Sequence, residues 1–455
     1  MRAMMARLIA FFLLLTFAAS PIAAQIDPSA RGLAVQAQAL AIGRDARIAT
    51  VIADSRGDAV YIDPAQYALN MRSALVWAKQ LSGGRFSIGP TFGKSGDRTD
   101  QMMARMPQAL ATRAGLLYII AGVNDLAQNY PTATTSGATA AGNIIAMAEM
   151  GRLAGIKVIL EAEVGANGLT AAQVSQMNEL NIRLADYVEG TPNVYLNDAR
   201  SAVMNPTAGA TTVTFKPGFS LDGTHEVSRG SYYHALTLLP LINQIVPPRS
   251  VLTRTGTELP GNGRWQLLAN PIFATATGGT LSGTATGTVP SGWTAFGSAG
   301  TTATFGTQAD PEGVGNNVTV TCQWVAAGDS CRLFQTVGSA NWLPGDIVQA
   351  VTQIQITAAS PCLAATRLEL VTVGTLNGSA TGFNYMDGYT ATTTGSLGAD
   401  QPYTATLMTR PFTVPAYTAK SYMAAYVHLE GSCAGTASFV IRQMPIRRRL
   451  SAPNG

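Results

Sequence analysis

The chain has 455 residues, a formal net charge of +4, and 12% charged against 47% hydrophobic residues. That apolar fraction is ordinary for a globular protein and excludes wholesale disorder. The small net charge over this length excludes a dedicated nucleic-acid binder, which needs a concentrated basic face.

Residues 1–24 read as a secretory signal peptide. Arg2 and Arg7 precede the apolar run from Leu8 to Ala19, and small residues follow. The run is shorter than the ~20 residues a bilayer needs, so no stable membrane anchor is expected after cleavage. The expected location is secreted, in the medium or the periplasm. The cysteines Cys322, Cys331, Cys362 and Cys433 fit an oxidising compartment, where an even number suggests disulfides. Cys322 and Cys331 flank the turn-like VAAGD, which favours Cys322–Cys331 and Cys362–Cys433 among three possible pairings. No CxxC occurs, so a zinc site is not expected.

From residue 25 to 246, short apolar runs alternate with helical stretches. Strands are expected at 47–53, 85–88, 115–122, 156–164 and 193–198. Helices are expected at 68–81, 101–112, 137–153, 171–188 and 228–245. Strands alternating with helices of this length imply βαβ units, hence a parallel sheet with helices on both faces. The prolines at 247 and 248 and the stretch RTGTELPGNG open a linker, 247–263. A Gly- and Pro-rich linker implies few contacts across it, so residues 25–250 are expected to fold alone. Residues 264–447 lose the helical period. Short β-branched runs between Gly and Pro turns predict an all-β sandwich or jelly roll. Arg447, Arg448 and Arg449 border a tail, 448–455, read as solvated.

Four short motifs follow one another in the α/β half: ADS at 53–55, SGD at 95–97, GVND at 122–125 and DGTH at 222–225. Each falls after a predicted strand or just before the last helix, the edge of a parallel sheet where ligands bind. A serine hydroxyl needs a base to act as a nucleophile at neutral pH. His225 is the candidate base for Ser55, with Asp222 to orient its imidazole. A tetrahedral intermediate needs preorganised donors, which the backbone N–H groups of Ser55 and Gly96 and the Asn124 side chain could supply. Asp125 reads as structural support, His234 as packing, and His428 as a half-exposed strand residue. This chemistry needs no metal or cofactor.

The ordered set resembles the SGNH, or GDSL-type, hydrolase family over about residues 45–246. The resemblance implies a three-layer α/β/α domain with Ser55 as nucleophile. It also implies an oxyanion hole from Ser55, Gly96 and Asn124, and a triad completed by Asp222 and His225. Two departures stand out. Ala53 replaces the family's usual glycine, and Arg56 follows the nucleophile, where it could attract an anionic group or pair with Asp58.

The β half carries Trp265, Trp293, Trp324 and Trp342. NPIF and the later VPSGW segment resemble the start of a carbohydrate-binding jelly-roll module. Trp293 and Trp324 are the residues expected to stack on sugar rings. Together these features point to a secreted serine esterase acting on acylated carbohydrate, O-acetyl groups above all, or on another small ester. The rivals are a lipase or thioesterase of the same chemistry, and a glycan-binding surface protein whose hydrolase half is vestigial.

Overall fold

The computed structural model describes residues 43–61, 68–206, 211–253, 264–389 and 401–449. The expected signal peptide and the RTGTELPGNG part of the linker lie outside them. The chain divides into two compact units that do not follow chain order. Of the described residues, the first holds 43–58, 86–206 and 211–214. The second holds 59–61, 68–85, 215–253, 264–389 and 401–449.

The first unit is built on a five-stranded parallel sheet, in the order Ser87–Gly93, Asp45–Ala53, Ala114–Ile120, Lys157–Glu161, Val194–Asn197. Ile52, Leu117, Ile119, Val158 and Leu160 pack one face against the helices Thr99–Met103, Met106–Leu110, Ser136–Leu153 and Ala171–Glu189. The alternate residues Ala49, Val51, Leu116 and Ile159 are buried too. A sheet buried on both faces explains why its strands read as continuous apolar runs. One expected helix, 101–112, is split in two. Pro107 lacks an N–H and sits in the first turn of the second piece, the position where proline is tolerated. The register pairs Ala53 with Gly93 and with Ile120, and Glu161 with Asn197. The strands therefore end together, and the loops beginning at residues 54, 94, 121 and 162 leave one edge. The first strand in the chain has its second and third partners on opposite sides, which makes that edge a topological switch point.

The second unit contains the β-sandwich expected from the sequence. Among the described residues one sheet has seven strands. Its middle is formed by Ser330–Gly338, Ala419–Gly431, Leu363–Leu376 and Ser379–Tyr389, and Leu69–Asn70 pairs at its edge. The other sheet runs through Asn316–Trp324, Gly435–Gln443 and Ile347–Ala358. Ile446–Arg449 is a strand on that sheet, paired with Ile347–Ala358, and Arg448 Nε lies 3.2 Å from Asp346 Oδ2. The arginines 447–449 therefore belong to the sandwich, which corrects their reading as a solvated tail.

The helices Ala74–Leu81 and Ser228–Ile245 also belong to this unit. The first is shorter than expected. Asn70 is in a strand, and its side chain accepts the Arg72 N–H in a turn that delays the helix to residue 74. Trp77 meets Tyr232 and Tyr403 edge-on, with ring centroids 5.1 and 5.3 Å apart. Lys79 is buried, pairs with the buried Asp387 carboxylate and donates to the Met408 carbonyl at 2.7 Å. Gln80 donates to the other Asp387 oxygen at 3.1 Å. A helix before the linker is thus tied into strands beyond it, more contact than the Gly- and Pro-rich linker implied. No helix among the described residues is long and apolar enough to cross a membrane.

Candidate active site

The strand Asp45–Ala53 runs directly into the short helix Ser55–Asp58, which leaves Ser55 half-buried at the switch point. The turn is closed by bonds from the Gly57 and Asp58 N–H groups to the Asp54 carbonyl, at 3.2 and 2.9 Å. Ala53 has ordinary strand backbone with no positive φ, so a methyl is tolerated in place of glycine. The space is recovered at Gly57, where a Cβ would stand 2.0 Å from the Ala53 Cβ. The two small residues are a matched pair.

Arg56 has neither of its expected roles. Its guanidinium makes a two-pronged contact with Glu163 at 2.8 and 2.7 Å and reaches Asp54 Oδ2 at 3.2 Å. The three side chains are 7%, 0% and 0% exposed, so Arg56 is committed to two buried carboxylates. Asp58 instead accepts from the Ser95 hydroxyl at 3.2 Å. Sequence reasoning missed Asp54 and Glu163. The available signal was an acid at the carboxyl end of the strand run IKVILEAEV, beside the switch point.

The loop after the second strand turns at Gly96, whose φ of +81° favours glycine. It is held from the helix Val123–Ala127 and the residue that follows it. Asn124 Nδ2 donates to the Asp97 carbonyl at 3.0 Å, and Gln128 Nε2 donates to the Gly96 carbonyl at 3.1 Å. The Asp97 carboxylate pairs with Arg105, which also donates to the carbonyls of Phe92 at 3.0 Å and Ala53 at 3.2 Å. Asp125 is fully buried and accepts from Thr99 N at 3.0 Å and Thr99 Oγ1 at 2.7 Å. Burial pushes its carboxyl up to about 6 against the opposing Thr99 bonds.

Asp222 and His225 form a tight turn in the second unit. Asp222 Oδ1 accepts the backbone N–H groups of Thr224 and His225 at 2.9 and 2.8 Å, and Oδ2 lies 2.7 Å from His225 Nδ1. Burial works against the charge, but those backbone N–H groups and then the imidazole outweigh it. They hold the Asp222 carboxyl well below the usual carboxylate range. An ionised carboxylate only accepts, so Nδ1 carries the proton and Nε2 the lone pair. His234 is buried, as its packing role implies, with Nδ1 2.8 Å from Glu226 Oε1.

Gly96 and Asn124 are thus brought together in the first unit, on the edge that carries Ser55, and Asp222 and His225 in the second. Trp293 and Trp324 are each 1% exposed. Trp293 Nε1 donates to the Asn270 carbonyl, and Trp324 packs on Phe439. Both are core residues of the sandwich, which corrects their assignment as sugar-stacking residues. The disulfides are Cys322–Cys331 and Cys362–Cys433, the favoured pairing.

No family model matches the chain, and no curated protein matches it. Among solved structures, it is similar over 48% of its length to a GDSL-like lipase from Bacteroides thetaiotaomicron, at 18% identity, 97% of that chain and a TM-score of 0.34. It is similar over 45% to a carbohydrate esterase family 3 structure from Talaromyces cellulolyticus, at 17% identity, 99% of that chain and a TM-score of 0.33. Over 34% it is similar to a structure of carbohydrate-binding modules from the β-sandwich superfamily, at 15% identity, 56% of that chain and a TM-score of 0.24. The solved structures similar to this chain include both GDSL-type hydrolases and a β-sandwich carbohydrate-binding module.

Proposed function

We propose that the protein is a secreted serine esterase that removes acyl groups, O-acetyl groups above all, from a polysaccharide. The observation that carries this reading is the 2.7 Å contact between Asp222 Oδ2 and His225 Nδ1, which leaves Nε2 as a base. In the proposed reaction His225 Nε2 takes the Ser55 proton as Oγ attacks the ester carbonyl. The oxyanion is met by the N–H groups of Ser55 and Gly96 and by the second Nδ2 hydrogen of Asn124, the first being held by Asp97 O. The imidazolium then protonates the leaving alkoxide. The acyl-Ser55 ester is cleaved by water through the same base, releasing the acid. The two disulfides support export to an oxidising compartment.

The test is turnover of p-nitrophenyl acetate and acetate release from acetylated glycans by wild type and Ser55→Ala. The expected result is activity in the wild type that falls by several orders of magnitude in kcat in the variant, with the melting temperature kept. Retention of a tenth of the activity by pure Ser55→Ala would remove Ser55 as the nucleophile. A preference for long-chain esters would favour a lipase. No turnover of any ester by the wild type would favour a binding protein.

A further inference from the structure

The outer face of the seven-stranded sheet in the second unit carries an open cleft of about 490 Å³, within the range of ligand sites. Its polar and aromatic lining is Arg332, Glu369, Asn384, Tyr422, Tyr426 and His428. These residues share a face because side chains alternate along a strand and the register aligns them. Arg332 and Arg367 both stand opposite His428, and Glu369 stands opposite Tyr426.

His428 was expected to be half-exposed, yet it is 4% exposed. Its Nδ1 lies 3.2 Å from Arg367 Nη2, a group that can only donate, so Nδ1 accepts and the ring proton sits on Nε2. Nε2 lies 2.8 Å from Glu369 Oε2, so the buried ring is paired with that carboxylate on one side and with Arg367 on the other. Half-buried Tyr426 stacks on half-buried Phe334, with centroids 5.0 Å apart and ring planes 25° from parallel. An aromatic wall edged by hydrogen-bonding groups matches a sugar ring, whose C–H face is apolar and whose rim is hydroxyl.

Charge selects the kind of sugar. The lining has one guanidinium, Arg332, and one carboxylate, Glu369, while burial pushes His428 toward its neutral form. The neighbouring Arg367 is paired with Glu430 at 2.9 Å. Cations and carboxylates balance, so an anionic polymer finds no excess positive charge.

We infer that this sheet face binds a neutral carbohydrate chain, with a ring seated on Tyr426 and hydroxyls bonded by Arg332, Glu369 and Asn384. The site deepens the polysaccharide part of the proposed function and puts the aromatic contact on a tyrosine instead of the buried tryptophans. The experiment is affinity electrophoresis of the full chain in gels holding arabinoxylan, glucomannan, galactomannan or hydroxyethylcellulose, with polygalacturonate as the anionic polymer. At least one neutral polymer should retard the wild type, and polygalacturonate should not. Tyr426→Ala and Asn384→Ala should each weaken that retardation at least tenfold, and Asn384→Ala keeps the test open if loss of the larger ring impairs folding. Ser55→Ala should be retarded like the wild type, so failure of the cleft and failure of the esterase reading are distinguishable. Retardation by no neutral polymer, retardation by polygalacturonate alone, or equal retardation of both cleft variants and the wild type would overturn the inference.

Discussion

Asp222 holds His225 twice, by the backbone N–H at 2.8 Å and by the ring Nδ1 at 2.7 Å. The first contact fixes the turn and the second fixes the tautomer. Asp222→Asn should keep the turn, because an amide oxygen can still accept the Thr224 and His225 N–H groups. It would present an N–H2 to Nδ1, turning that nitrogen into an acceptor and moving the ring proton to Nε2. Loss of the base should lower kcat by roughly 10⁴ with little change in KM, as such tautomer reversal does in a serine triad. Steady-state kinetics on a small ester checks this, and a fall of less than tenfold would mean that the base lies elsewhere.

The contact of Gly57 with Ala53 makes a second expectation. Gly57→Ala places a methyl 2.0 Å from the Ala53 Cβ, so the turn bearing Ser55 must shift. Overpacking of this kind costs about 1–3 kcal/mol, and the shift should lower kcat as well. Ala53→Gly in the same chain removes that clash but leaves Val51 Cγ1 at 3.2 Å and Ile120 Cγ2 at 3.3 Å. The double variant should therefore recover part, not all, of the melting temperature and activity. No recovery would show that the strain arises elsewhere.

Asp125 gives a pH dependence with a definite sign. Its carboxyl is pushed from 3.8 to about 6 by burial, so the native state keeps a proton that the unfolded chain has lost across that window. Its contribution to stability therefore falls as pH rises from about 4 to 6, by up to about 3 kcal/mol. Asp125→Asn removes this slope. The melting temperature of the variant minus that of the wild type should rise between pH 4 and pH 6 and then level off. A constant difference would mean that Asp125 is ionised throughout.

Lys79 and Asp387 bear on dissection of the chain. Removing one partner of a buried pair typically costs about 3–5 kcal/mol. Asp387→Ala should lower the melting temperature sharply, and Lys79→Met with Asp387→Leu should recover only part of it, because the Gln80 amide and the Met408 N–H lose their acceptor. A fragment of residues 25–250 loses Asp387, the Met408 carbonyl and Tyr403 from around the helix Ala74–Leu81. It should be less soluble and melt lower than the full chain. A fragment as stable as the full chain would show that these contacts are dispensable.

Much of this was legible in order along the chain. The runs 115–122 and 156–164 are apolar throughout, which is how strands buried on both faces read, and they form the middle of the parallel sheet. Ser55, Gly96 and Asn124 were singled out because each follows a strand, and the common strand ends bring their loops to one edge. Asp222 and His225 were singled out by the DGTH motif, and the structure sets Asp222 Oδ2 2.7 Å from His225 Nδ1. The cysteine pairing followed from a short hairpin.

Tertiary structure decided the rest, because burial and pairing depend on residues distant in sequence. Trp293 and Trp324 look like ligand residues by type, but both are buried, Trp293 against Phe273 and Trp324 against Phe439. Arg56 looks like a substrate anchor until Glu163, 107 positions away, takes its guanidinium. The arginines at 447–449 look like a tail until Ile347–Ala358 supplies a partner strand. The helix Ala74–Leu81 reads as part of the α/β half, yet Lys79 finds its counter-charge 308 positions on, at Asp387. Periodicity reports which face of an element is apolar, while the identity of what covers that face is set by the folded chain.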